Sequence, residues 1–152
     1  AFEPMKENFE LLKENIKLNF AKNIEAINKA VSNKSGKLNF YVSQTRNKGQ
    51  NSIYKLGESQ KQISVEKISF KNFLKTIPRI DFLKIDCEGA EYEILFSLSK
   101  KELEKIKKIS MEFHNYGEYA GEDLARLLQK NNFKVKLIKD GNMFGRIYAK
   151  RY

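Results

Sequence analysis

The sequence predicts an α/β fold: a mostly parallel sheet with an antiparallel edge at its C-terminal end. Three observations carry this. Apolar runs of strand length alternate with runs of helical period along most of the chain. The stretch Asp81 to Leu95, DFLKIDCEGAEYEIL, passes from an apolar strand through an acidic, glycine-containing turn into a helix. That order is half of a βαβ unit. The last two apolar runs, Phe133 to Ile138 and Arg146 to Lys150, flank Asp140-Gly141-Asn142, a tight-turn signal that joins antiparallel strands.

Taken in order, Ala1-Phe2-Glu3-Pro4 has the form of a strand end running into a helix. The residue before a proline is held extended, and proline suits the first helical position. Residues 5 to about 22 carry a helical stripe of Phe9, Leu12, Ile16 and Phe20, widened by Leu11 and Leu18. Ile24 to Val31 is expected as a strand, and Ser32 to Gly36 as a turn. Leu38 to Val42 is a strand with Leu38, Phe40 and Val42 on one face. Ser43 to Ser52 reads as a polar loop, Ser52 to Leu56 as a short return strand and Gly57 to Lys61 as a turn. Gln62 to Ile68 alternates again, with Ile63 and Val65 together.

Residues from about 37 to 68 therefore form a β-rich insertion within one domain, 1–152. Ser69 caps a short helix to Thr76 that turns Phe70, Phe73, Leu74 and Ile77 inward. The strand Ile80 to Ile85 leads to the acidic turn. Its helix presents Ala90, Tyr92, Ile94, Leu95 and Leu98 on one face, with Glu91 and Glu93 largely off it. A solvated helical piece from about Ser99, a strand Ile109 to Phe113 and a helix Gly121 to Asn131 precede the final hairpin.

A chain of 152 residues with 41% hydrophobic and 12% aromatic content has the composition of a globular domain. No apolar run approaches the roughly 18 residues of a membrane span, so no membrane partner is expected. No signal-peptide pattern opens the chain, and the single cysteine excludes an internal disulfide; a cytoplasmic location is the default expectation. The net charge of +10 is compatible with nucleic acid, anionic lipid or acidic substrates. The lysines are nevertheless spread along helices and loops without a basic block, which argues for solvated surface over a dedicated nucleic-acid face.

In open α/β sheets, ligands bind at the carboxyl ends of strands, where Asp86, Glu88 and His114 fall. Paired carboxylates there can take a proton from a bound group, and their proximity raises one pKa. The alternative is structural: Asp86 caps the helix, and Glu88 is favoured by the helix dipole. His114, the single histidine, suits general-base work near neutral pH, and Glu112-x-His114 puts both side chains on one strand face. A strand-end histidine without a chemical role is the alternative. Asp86, Glu88, Glu112 and His114 are also ligand types for a metal, but there is no second histidine and the cysteine lies elsewhere, so no metal is assigned. Cys87 reads as a small buried residue. Arg46 to Ser52 reads as a surface loop in preference to an acceptor-binding one.

The run Ile85 to Leu95, IDCEGAEYEIL, resembles the most characteristic segment of the FkbM-type methyltransferases, usually Ile/Leu-Asp-x-Glu-Gly-Ala-Glu. The resemblance implies a Rossmann-like methyltransferase fold and S-adenosylmethionine as cofactor. It also implies methyl transfer to an acceptor, an oxygen of a small polar or sugar-like molecule. The family's second strand ends in a similar Phe-Glu-Pro, so Glu3 is implied to accept hydrogen bonds from both ribose hydroxyls. Ala30 and Val31 are implied to lie beside the adenine; of the two acids at the turn, one could stay ionised beside the sulfonium and the other take the acceptor's proton, and Asp86 is counted with the cofactor contacts. A helix-N-terminal role for Glu3 and ordinary core at Ala30 and Val31 are the alternatives.

The family's first strand and its glycine-rich cofactor turn have no counterpart in residues 1–152, so an N-terminally truncated domain is expected. Two sheet edges would then be open. This leaves a second expectation beside the enzyme: a non-catalytic remnant serving as a binding or dimerisation module, with a homodimer formed through those edges.

Overall fold

The computed structural model describes residues 1–43, 52–53, 55 and 60–151. Its larger half is a four-stranded sheet in the order β4-β5-β7-β6, made of β4 (Leu83–Ile85), β5 (Lys108–His114), β6 (Phe133–Asp140) and β7 (Phe144–Arg151). Strict alternation explains how its strands sit. Ile109, Met111 and Phe113 of β5, and Ile147 and Ala149 of β7, face the core, while Lys108, Lys150 and Tyr148 face out. Helix α5 (Gly121–Lys130) lays Leu124, Ala125 and Leu128 on the core, and α3 (Glu91–Phe96) adds Tyr92, Ile94 and Leu95. The short α4 (Lys100–Leu103) contributes Leu103. The Phe113 ring occupies the space that a Cβ would need at both Gly121 and Gly145, so the start of α5 and the start of β7 close directly on that ring.

The smaller half is a three-stranded sheet in the order β1-β3-β2, made of β1 (Ala30–Ser32), β2 (Gly36–Ser43) and β3 (Gln60–Ser69). Its core is thin: Ala30, Phe40 and Val65, with half-buried Met5, Leu38 and Ile53 against them. Helix α1 (Lys6–Leu18) fully buries no residue. Helix α2 (Phe70–Thr76) starts as its sequence predicts, with the Ser69 hydroxyl accepting the Asn72 N–H at 3.3 Å. Side-chain bonds join the halves: the Ser32 hydroxyl donates to Glu93 at 2.6 Å, and the Ser52 hydroxyl to the Glu88 carbonyl at 2.7 Å.

The α/β class holds, but the mostly parallel single sheet does not. The strands divide between two small mixed sheets, and among the described residues parallel strand pairing is confined to β1–β3 and β4–β5, with isolated parallel bridges at Phe2–Ile27 and Ile80–Ile106. The hairpin β6–β7 is antiparallel because a tight turn joins its strands, and the β5–β7 and β2–β3 pairings are antiparallel as well.

Smaller expectations also change. The strand expected from Ile24 shortens to Ala30–Ser32, leaving Ile27 in an isolated parallel bridge to Phe2. The expected inward Phe20 is 86% exposed, because α1 ends at Leu18 and Phe20 takes a left-handed φ of 52°. Phe82, expected in the buried strand, is 60% exposed since β4 starts only at Leu83. The Ser43–Ser52 loop, the Ser52–Leu56 return strand and the Gly57–Lys61 turn fall largely outside the described residues, although Ser52 does bridge Tyr41 antiparallel. Among the described residues, no helix is long and apolar enough to cross a membrane.

Candidate active site

Parallel pairing of Ile85 with Met111 brings the carboxyl ends of β4 and β5 side by side, so the turn after β4 faces the end of β5. The turn is Asp86-Cys87-Glu88-Gly89, and Glu88 and Gly89 both have positive φ, 49° and 108°. For glycine this costs little, whereas for Glu88 it stores roughly 1 kcal/mol or more of backbone strain. Glu91 keeps the turn in this shape. Its carboxylate has 0% exposure and accepts the Cys87 N–H at 2.9 Å and the Gly89 N–H at 3.0 and 3.2 Å. Asp86 is not the helix cap: Ala90 holds that position, and the Asp86 carboxylate pairs instead with Lys84 at 3.1 Å.

His114 closes the β5 side. Its Nδ1 lies 3.3 Å from the Glu91 carboxylate, and its Nε2 lies 3.4 Å from Glu88 and 3.9 Å from Glu112. The ring stacks on Tyr116 at 5.4 Å between centroids. Burial pulls the His114 pKa down, but the Glu91 hydrogen bond and the charges of Glu91, Glu88 and Glu112 outweigh it, and the net shift is upward. Burial raises the Glu88 pKa; the charge of His114 opposes this, while Asp86, Glu91 and Glu112 add to it. Both shifts are upward: Glu88 holds a proton more readily than an ordinary carboxylate, and His114 more readily than an ordinary imidazole, and the two stand within contact of each other. Burial pushes the Cys87 thiol up to about 12, with the Glu91 charge adding to it, so Cys87 stays a neutral thiol.

Beside this corner a crevice of about 250 Å³ opens between the two halves. Glu3, Ala30, Val31 and Asp86, the four residues expected to touch a cofactor, all line it, together with Glu88. His114 reaches it only through Glu88. Leu38, Phe40 and Ile53 supply apolar wall. Glu3 serves partly as the structural alternative has it, one carboxylate oxygen accepting the Met5 N–H at 2.8 Å where α1 begins.

Glu91 is the residue of this corner that sequence reasoning placed wrongly, as an outer residue of the first helical turn. The signal was present: it is the last member of the Asp-x-Glu-Gly-Ala-Glu run. Ser52 and the apolar wall from β2 carried no signal, since neither lies near the acidic turn in sequence. The expected loop from Arg46 lies almost wholly outside the described residues.

Residues 1–135 match the family described as methyltransferase FkbM domain. A curated relative, the AMB antimetabolite synthetase AmbE of Pseudomonas aeruginosa, is 36% identical over 73 residues, 45% of this chain and 3% of that protein. The chain thus spans a small fraction of the length of the curated relative it matches. No solved structure matches.

Proposed function

The chain belongs to the FkbM methyltransferase family, and on that premise we propose that it moves a methyl group from S-adenosylmethionine to an oxygen of a small polar or sugar-like acceptor. The observation that carries this reading is the single crevice that gathers Glu3, Ala30, Val31 and Asp86 from three separate segments. The lining fits the cofactor's chemistry. Val31, Leu38 and Phe40 offer an apolar surface for a flat base, Glu3 a carboxylate for a diol, and Asp86 and Glu88 negative charge for a sulfonium. The parallel pair β4–β5, with its crevice at the carboxyl ends, supports a Rossmann-like reading of this region.

When bound, S-adenosylmethionine supplies an electrophilic methyl on sulfur, which is left as a neutral thioether once the methyl has gone to the acceptor oxygen. The chain's own residues do the rest. Glu3 and the apolar wall orient the ligand. Glu88, backed by His114, takes the proton that the acceptor hydroxyl gives up, a contribution of roughly 10² to 10⁴ in rate. Glu91 holds both groups at the working distance. Alignment of the acceptor supplies much of the remaining acceleration.

Isothermal titration of the chain with S-adenosylmethionine tests the reading. Micromolar binding that Glu3→Ala weakens about tenfold is expected, the loss of one or two hydrogen bonds to a charged group. A sample that is folded by circular dichroism and binds no cofactor would sink it.

A further inference from the structure

We propose that Asp86, Glu88 and His114 together hold one divalent cation of the manganese or magnesium kind at the mouth of the crevice. This rests on the reading of that crevice as the place where the cofactor's methyl and the acceptor meet. One ligand atom from each of the three residues lies within 4.8 Å of the other two. Two ligands on one such ion stand at most about 4 Å apart, so small side-chain rotations close the set. Two carboxylates and one imidazole form a mostly hard donor set, suited to manganese or magnesium rather than to a thiolate-seeking metal.

What distinguishes this group from a chance gathering of acids is the histidine's backing. The fully buried Glu91 carboxylate stands 3.3 Å behind Nδ1, which leaves Nε2 directed at Glu88 and Glu112, 3.4 and 3.9 Å away. A carboxylate that fixes ring orientation and tautomer from behind is the usual partner of a metal-bound histidine. The charge balance points the same way. Four carboxylates, from Asp86, Glu88, Glu91 and Glu112, surround one imidazole in a chain of net charge +10, and the lysine paired with this group is Lys84, on Asp86 at 3.1 Å. A second cation relieves that excess. The sequence alone did not assign a metal because a lone histidine and a turn of acids do not reveal that two strand ends bring them together.

An ion held there has its remaining positions open toward the crevice that Asp86 and Glu88 line. It therefore selects acceptors with two adjacent oxygen donors, a vicinal diol or an α-hydroxy carboxylate. It lowers the pKa of the hydroxyl it binds, so the proton leaves more easily to the Glu88 oxygen that does not hold the ion, or to solvent.

The full chain, stripped with a chelator and dialysed, is titrated with Mn²⁺ while the electron paramagnetic resonance of free Mn²⁺ is followed. One Mn²⁺ bound per chain is expected, with affinity falling more than tenfold in Asp86→Asn, an exposed position, and in His114→Ala. Glu91→Gln, which alters the support behind His114 and under the turn without removing a metal ligand, is expected to weaken binding about tenfold in a variant still folded by circular dichroism. Glu10→Gln, on the outer face of α1, leaves it unchanged. Absence of Mn²⁺ binding at millimolar metal, or equal affinity in Asp86→Asn and the unaltered chain, overturns the proposal. Methyl transfer that continues undiminished in chelator overturns it too and leaves the methyltransferase reading standing. Site-dependent Mn²⁺ binding with no affinity for S-adenosylmethionine supports the metal site and overturns the other reading.

Discussion

The two halves of the molecule hold the crevice on unequal terms. On one side the four-stranded sheet, α3, α4 and α5, joined by Phe70 and Leu74 of α2, share a continuous core that includes fully buried Leu74, Leu103, Ile106, Leu128 and Ile147. On the other, three buried residues stand behind the three-stranded sheet, and α1 fully buries none. The titratable cluster at the acidic turn, Asp86, Glu88 and His114, is carried by the packed half. The groups that line the ligand wall, Glu3, Ala30 and Val31, are carried by the thin one. The division sets the acidic cluster on a rigid frame and the facing wall of the crevice on a compliant one. Local opening costs least where few apolar contacts must break.

The same substitution on two helices gives the sharpest contrast. Leu128→Ala in α5 is expected to cost about 3 kcal/mol, since a fully buried leucine leaves a cavity. Leu12→Ala in α1, where the side chain is half-buried, is expected to cost less than about 1 kcal/mol. Urea unfolding of both variants decides it, and equal losses would break the contrast. Next in size is Glu91→Gln, expected to cost about 2 kcal/mol, because a buried carboxylate loses charge-assisted bonds from two backbone amides. If that variant unfolds at the same urea concentration as the unaltered chain, the turn does not depend on Glu91.

The smallest effect expected is a pH dependence at α4. The Ser99 hydroxyl and amide bond to the Glu102 carboxylate and hold its pKa below the ordinary value. A depressed carboxylate stabilises the fold above its unfolded pKa of about 4.3, and the benefit fades as pH falls through the folded value. Glu102→Gln therefore narrows the gap in melting temperature between pH 6 and pH 3, by an amount that exposure keeps small. A gap unchanged by the substitution would remove Glu102 from the acid response.

The packed half was largely legible in the sequence because its periods are strong. The strand containing Ile109, Met111 and Phe113, the α5 face, the Asp140-Gly141-Asn142 turn and the Ser69 cap all follow local rules. The thin half was read less well. Ile24 to Val31 has strand composition but finds a partner only at its end, and α1 has an apolar stripe that little covers. Pairing and coverage are decided by distant residues, which no local period records. Asp86, Glu88 and His114 were legible as strand-end chemistry. Glu91 was not, because a charge in a helix is assigned outward unless its buried partners are known, and these come from its own turn and from β5.

Phe113 sits one residue before His114 and fills the room that side chains at Gly121 and Gly145 would require. Those three positions cannot drift separately. A methyl group added at either glycine has to displace the ring, and the ring is attached to the backbone that aims the histidine. At Gly121 the ring alone stands in the way, so homologues that lose this glycine are expected to carry a smaller residue in place of the phenylalanine; at Gly145 the Ile138 carbonyl oxygen blocks a side chain as well. A directed-evolution library that randomises Gly121 alone is expected to return mostly inactive clones, while one that varies it jointly with Phe113 recovers active ones; at Gly145 the joint library is expected to return few.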